Sequence, residues 1–253
     1  MKKIAVINQK GGVGKSTIAV NLAFELSSQG KKTLLIDLDP QAHSCEIYKS
    51  ENFEILFTIK DLFTDTRFDI KRAVVPAYVK NTKVENLEVI HSNILFAKIA
   101  EQVSSRIHRE KIFHNHIKKL TYDYVILDCP PNLGVITINA IYTSDLNLIP
   151  ISYDKGALDG MADLIETIKE VKESSESSLL IIRNLFDTRN KQTNSYIDTE
   201  LSPFEKYMLQ TKIRRTESLN QSRIAGEPIQ IYDQNSNGAI DYKELVKELA
   251  KYV

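Results

Sequence analysis

The chain has 253 residues, with 33 Lys or Arg balanced by 33 Asp or Glu, so self-repulsion does not push it toward disorder. A hydrophobic fraction of 42% with only 9 Gly and 7 Pro fits a compact globular protein and excludes collagen-like and low-complexity classes. The longest apolar runs, such as Asn147 to Ser152, fall far short of the roughly 20 residues that span a bilayer, and Met1-Lys2-Lys3 leads directly into a strand pattern. Neither a membrane span nor a signal peptide is expected. Cys45 and Cys129 lie far apart with no metal-type spacing, which suits a reducing cytoplasm.

In chain order, KIAVIN (Lys3 to Asn8) reads as a strand, followed by a glycine cluster and an apolar-periodic helix from Ser16 to Ser28. Further strands are predicted at Thr33 to Asp37, Leu87 to His91, Tyr124 to Asp128, Leu146 to Ile151 and Leu179 to Arg183. Helix-patterned segments lie between them, including Ala97 to Leu120 and Leu158 to Glu173. The serine-rich stretch 174–178 reads as a helix-ending loop, and Asn190 to Thr199 as an exposed loop or helix start. The strand runs are nearly continuous in apolar residues, which implies burial on both faces. The alternating order predicts an α/β fold, a doubly wound and mostly parallel sheet flanked by helices, in one domain over 1–253. Its ligand crevice should lie at the carboxyl ends of the strands.

Directly after the first strand comes Gln9-Lys10-Gly11-Gly12-Val13-Gly14-Lys15-Ser16-Thr17, opening into a helix. Main-chain amides freed by glycine can wrap a polyphosphate, and the helix N-terminus adds its positive dipole end. Lys15 can reach the β and γ phosphates of a nucleotide, and Ser16 can offer a hydroxyl to Mg²⁺. Gln9 stands where the general phosphate loop has Gly, so the match is to K-G-G-x-G-K-[ST] with a second lysine, Lys10.

NQKGGVGKS resembles the deviant Walker A motif of the ParA/MinD superfamily of P-loop ATPases, and within it the partition ATPases of the ParA/Soj type. The resemblance implies an ATP hydrolase with ATP and Mg²⁺ as cofactors and a homodimer sandwiching the nucleotides. Lys10 would then reach the partner's phosphates, with Lys10, Lys15 and Asp39 catalytic. Gly11 would face the partner closely. DLDPQ (Asp37 to Gln41) resembles the family's switch I, which implies that Asp39 orients or deprotonates the attacking water and that Asp37 supports the metal. Asp128-Cys129-Pro130-Pro131 resembles the Walker B and switch II run, with Asp128 on a Mg²⁺-bound water and Cys129 a small buried residue. An iron–sulfur branch of the superfamily would need cysteines placed differently. ENLEVIHSN at 85–93, with His91 in place of proline, GALDGMADLIETI at 156–168 and ITINAIYTSDLNLIPIS also resemble family segments. Asn184 stands where the family often contacts adenine, and a structural loop Asn reads equally well.

Between Lys206 and Arg223 five basic residues face a single acid, Glu217. TKIRRTESL resembles the partition family's I-P-R-N-x-R-L segment, which implies sequence-independent DNA binding through Lys212, Arg214, Arg215 and Arg223. Arg214 occupies the place of the usual proline and Ser218 that of the second arginine. The partners implied are double-stranded DNA and a ParB-like centromere-binding protein, with a cytoplasmic, nucleoid-associated location. Because Lys10 falls so early, no N-terminal helix-turn-helix domain is expected.

Two alternatives remain. A MinD-like ATPase would need the C-terminal stripe Leu245, Leu249 and Val253 to lie on a membrane, but such a stripe more often packs onto its own domain and lacks aromatic anchors. Asp233 to Glu244 fits a twelve-residue EF-hand calcium loop letter for letter. Gly226 and Pro228, however, interrupt the helix that should enter it, and P-I-x-x-Y-D is also a partition-family pattern. His108, His114 and His116 point in different directions on a helix and form no shared ligand face. His43 lies close to the Asp39 loop without an expected role in catalysis.

Overall fold

The computed structural model describes residues 1–51, 53–153, 156, 158, 160–173 and 179–252. The loop expected at 174–178, part of the segment leading into the helix at 161, and Val253 lie outside the described residues. Among the described residues eight strands form one sheet: β1 Lys2–Val6, β2 Thr33–Asp37, β3 Val74–Val79, β4 Thr82–Ile90, β5 Tyr124–Asp128, β6 Leu146–Ser152, β7 Leu179–Phe186 and β8 Met208–Arg214. Their spatial order is β3-β4-β2-β5-β1-β6-β7-β8. Every pairing is parallel except β3 with β4, so the sheet is the doubly wound, mostly parallel one that the alternating pattern predicts.

Successive residues of β1 show why its run is apolar throughout. Ile4 and Val6 enter one core and Ala5 and Ile7 the other, one on each face of the sheet. The first core packs beneath α1 (Lys15–Ser28), with Tyr48 and, near the carboxyl end of the chain, Tyr242, all buried. The second gathers Phe63, Phe96 and Phe113, where the Phe63 ring lies 5.2 Å from that of Phe96.

The remaining helices are α2 His43–Glu46, α3 Ile59–Thr64, α4 Leu95–Val103, α5 Ile112–Ile117, α6 Val135–Thr143, α7 Met161–Lys172, α8 Lys191–Glu200, α9 Glu217–Ala225, α10 Ile229–Tyr232 and α11 Asn237–Leu249. The segment expected as one helix from Ala97 to Leu120 is two. The chain breaks between α4 and α5 at His108, which takes a positive φ of 56°, a conformation no continuous helix accommodates. The polar stretch read as a loop or helix start is α8.

Two strands escaped the sequence reading. β3 is an antiparallel edge strand whose register is interrupted between Pro76 and Tyr78. β8 is the opposite edge, and its exposed and half-buried residues alternate with the buried Leu209 and Ile213. β8 is held from its outer side by α11. Glu248 accepts from the main-chain N–H groups of Gln210 and Thr211, both at 2.8 Å, and Asp241 accepts from Arg214 N at 2.8 Å. Burial pushes the Glu248 carboxyl up, but the Thr211 side chain and the two amides outweigh it and leave its pKa lowered. A lowered pKa means the unfolded chain binds more protons, so this contribution is present above the ordinary carboxylate pKa and is lost as pH falls through the folded value. Glu248→Ala is expected to cost about 1 to 3 kcal/mol at neutral pH. Urea titrations at several pH values should show a shallower acid limb for the variant.

Candidate functional site

Four strands deliver the site. Because β1, β2, β5 and β6 run parallel, their carboxyl ends open on one edge, and register fixes who meets there: Asp37 lies opposite Asp128, and Asp128 opposite Val6. The loop leaving β1 winds into α1 over this edge. Gly12 (φ 78°) and Gly14 (φ 90°) take left-handed conformations that a side chain would strain. A Cβ on Gly14 would also run into Asn184 Nδ2. At Gly11 a Cβ would meet nothing within 4 Å among the described residues. Among the described residues no side chain caps α1, and its first amides are left to other acceptors.

Lys15 is 7% exposed and its ammonium donates to Lys10 O at 3.0 Å. Burial pulls its pKa down, while the charges of Asp128, Cys129 and Asp39 pull it up. Asp128 is fully buried, and neither carboxylate oxygen has a hydrogen-bond partner among the described residues. Its pKa is pushed up to about 8, first by burial and next by the charge of Asp37; the nearby hydroxyls of Ser16 and Ser44 oppose the rise only in part, since neither is in hydrogen-bonding geometry with it and Ser44 already donates to Asp37. A buried, unpartnered carboxylate beside a serine hydroxyl is a donor set suited to a hydrated Mg²⁺, a hard cation that takes oxygen ligands and keeps several waters. Ser16 and Asp128 therefore fit the ion.

Asp37 is held differently. Read from the sequence as support for the metal, it is completely buried and taken up by four hydrogen bonds. Oδ1 accepts from Asp39 N (2.9 Å), and Oδ2 from Ser44 N (3.2 Å), Ser44 Oγ (2.8 Å) and Cys45 N (3.1 Å). Burial raises its pKa and these bonds oppose the rise. The carboxylate is an anchor that fixes the loop carrying Asp39. Asp39 itself is half-buried and accepts from Gln41 N at 2.9 Å. Cys129 is the small buried residue expected.

Asn184 is buried at the end of β7 and donates to Val13 O at 2.7 Å, so it braces the phosphate loop. Asn8 and Ser44 were missed. The signal was present for Asn8, because an Asn at the point where a chain turns out of a strand commonly bonds the backbone two residues on. For Ser44 there was none, since its bond to Asp37 spans a loop and needs the fold.

The basic segment divides. Arg215 and Arg223 are exposed, on the turn after β8 and on α9. Lys212 is half-buried with Nζ 4.3 Å from the centre of the Phe186 ring. Arg214, expected among the DNA contacts, instead forks onto Asp241, with Nη2 to Oδ1 at 2.6 Å and Nε to Oδ2 at 3.0 Å. That pair also removes the ninth residue of the EF-hand pattern, and Asn237 onward is already helix, so these twelve residues do not wrap a cation. Leu245 and Leu249 are buried against the chain's own core. No helix among the described residues is long and apolar enough to cross a membrane. His114 packs edge-on to Tyr142, His116 is buried and His108 exposed, with no shared face.

The unpartnered charge of Asp128 gives a test. Its raised pKa means the native state holds a proton that the unfolded chain releases, so stability falls as pH rises between about 4 and about 8. Without ligand, Asp128→Asn is expected to be about 1 to 3 kcal/mol more stable than the parent near pH 8, with the gap closing toward about pH 5 in thermal unfolding.

Comparison with known proteins agrees with this geometry. The sequence model of the family described as an AAA domain matches residues 1–181. The sporulation initiation inhibitor protein Soj of Bacillus subtilis is 35% identical over 254 residues, covering 98% of each chain. The chromosome partitioning protein ParA of Myxococcus xanthus is 32% identical over 253 residues, covering 98% of this chain and 87% of that one. Among solved structures, cobyrinic acid a,c-diamide synthase from Mycobacterium smegmatis, with a bound ATP analogue and magnesium, superposes with a TM-score of 0.81 at 25% identity, covering 100% of this chain and 95% of that one.

Proposed function

Since this chain belongs to the ParA/Soj-type partition ATPases of the P-loop fold, we propose that it is an ATP- and Mg²⁺-dependent, dimerising ATP hydrolase that acts in plasmid or chromosome segregation. The observation that carries this reading is the uncapped start of α1, where the loop over Gly11 to Thr17 meets a buried lysine and an unpartnered buried carboxylate on one crevice. The amides of Gly11, Gly12, Val13, Gly14, Lys15, Ser16 and Thr17 grip the phosphate tail. Lys15 leaves the Lys10 carbonyl to pair with the β and γ oxygens. Ser16 through its hydroxyl and Asp128 through a bound water would hold Mg²⁺, which would offset phosphate charge. Asp39, steadied through Asp37, orients the attacking water. Lys10 reaches the phosphates of a second copy, which ties hydrolysis to dimerisation. On this reading Gly11 is glycine for the partner's sake, in keeping with the open space around it among the described residues.

The joined form holds double-stranded DNA without sequence preference through Lys212, Arg215 and Arg223, and dimerisation doubles the face they form. Such binding arises from counterion release and weakens steeply with salt. A ParB-like protein at a centromere-like site stimulates hydrolysis and release, which gives a cytoplasmic, nucleoid-associated cycle. The buried Leu245 and Leu249 favour this over a MinD-like membrane role.

Co-sedimentation with DNA in ATP against ADP tests the reading, with binding expected only in ATP. Lys15→Ala should abolish nucleotide binding. Asp39→Ala should bind ATP and accumulate as dimer with turnover reduced at least about a hundredfold, measured by phosphate release. Arg215→Glu should lose DNA in the same assay with basal ATPase rate intact; unchanged DNA affinity would remove Arg215 from the interface.

A further inference from the structure

Asn8 stands where β1 ends and the phosphate loop begins, and it is only 7% exposed. β1 pairs with β6 through Val6 opposite Leu148, and the ladder closes with Ile7 N donating to Leu148 O at 3.0 Å. The next acceptor along β6 on that side is the buried Pro150 carbonyl. The main chain of β1 does not reach it, because the loop is already turning away. The Asn8 side chain takes the place of the missing main-chain donor: Nδ2 donates to Pro150 O at 2.7 Å. The same amide group faces the other way as well, and Oδ1 accepts from Lys10 N at 2.9 Å. The Lys10 carbonyl, in turn, accepts from Lys15 Nζ at 3.0 Å.

The peptide units on both sides of Lys10 are thus held, one by Asn8 and one by Lys15. The two restraints differ in what happens when nucleotide arrives. Lys15 is drawn to the phosphates and gives up the Lys10 carbonyl, whereas Asn8 is fixed to the sheet through Pro150 and lies outside the phosphate grip. We propose that Asn8 is a positioning residue that fixes the main chain of Lys10, so that the Lys10 side chain is aimed out of its own site toward the triphosphate of a second copy. The inference rests on the reading of Lys10 given above. An amide serves here because the site needs one donor for Pro150 and one acceptor for Lys10 on a single short side chain. An Asx-type turn keeps its acceptor with Asp but loses it with Ala.

The test compares the parent chain with Lys10→Ala, Asn8→Ala and Asn8→Asp in three measurements: ADP affinity of the monomer, ATP-dependent dimer formation by light scattering, and kcat and KM for ATP. Asn8→Ala is expected to bind ADP within about threefold of the parent while losing the ATP dimer and about tenfold in kcat, the same losses expected of Lys10→Ala. Asn8→Asp still accepts from Lys10 N and, because burial against the Pro150 carbonyl favours its neutral acid form, can still donate there, so it is expected to recover the dimer and at least about half of kcat, even if its melting temperature falls. The proposal is overturned if Asn8→Ala dimerises and turns over like the parent. It is overturned equally if ADP affinity collapses with the rest, as in Lys15→Ala, or if Asn8→Asp is no better than Asn8→Ala. Should Asn8→Ala fail to fold, a folded, ADP-binding Asn8→Asp that cannot dimerise decides against it, and one that dimerises supports it. The outcomes separate from those for the function as a whole. A parent chain that binds no ATP, or a Lys10→Ala that dimerises and turns over normally, removes the underlying reading, whereas normal Asn8→Ala beside a defective Lys10→Ala removes only the role of Asn8.

Discussion

Lys15, Asp37 and Asp128 are ionisable side chains buried at one edge of a parallel sheet, and a buried charge persists only when its surroundings compensate it. The three are compensated differently, and the difference organises the site. Asp37 is satisfied locally, by amides and a hydroxyl that the loop after β2 folds back to supply. Lys15 borrows a main-chain carbonyl from the loop it belongs to. Asp128 has no such partner and is pushed toward its neutral form. A satisfied anchor, a lysine on a replaceable acceptor and an uncompensated acid make a place that a negatively charged, metal-bearing ligand improves and little else would.

Parallel topology is what concentrates these groups. Each βα unit returns the chain to the same edge, so residues far apart in sequence, Asn8, Asp37, Asp128 and Asn184, end their strands within one crevice. The two-sided core that this topology requires also explains why the strands could be read from composition: β1, β2, β5 and β6 are buried on both faces, and an unbroken apolar run needs no alternating phase to be recognised.

Where that condition lapses, legibility lapses with it. β8 buries Leu209 and Ile213 between polar neighbours and reads as a loop, and β3 carries a proline and a register shift. The stretch from Ala97 to Leu120 keeps its apolar period on both sides of His108, so the pattern cannot reveal a break that depends on one residue's φ. Within the site, the phosphate loop and the positions of Asp39 and Asp128 followed from local spacing and resemblance. Asp37 and Arg214 are charged groups whose partners Ser44 and Asp241 are found only by folding the chain. A charged residue's type announces that it will find a counterpart; it does not say whether the counterpart is a ligand or a neighbour.

The clasp of α11 on β8 has a consequence for assembly. An outermost strand with unclaimed amides is a template onto which another chain can be stitched. Here three of those amides are already claimed by Glu248 and Asp241, and at the far margin of the sheet Tyr78 N is taken by the carbonyl of Tyr48. Neither margin of the sheet therefore offers a wholly unclaimed row of donors to a further strand.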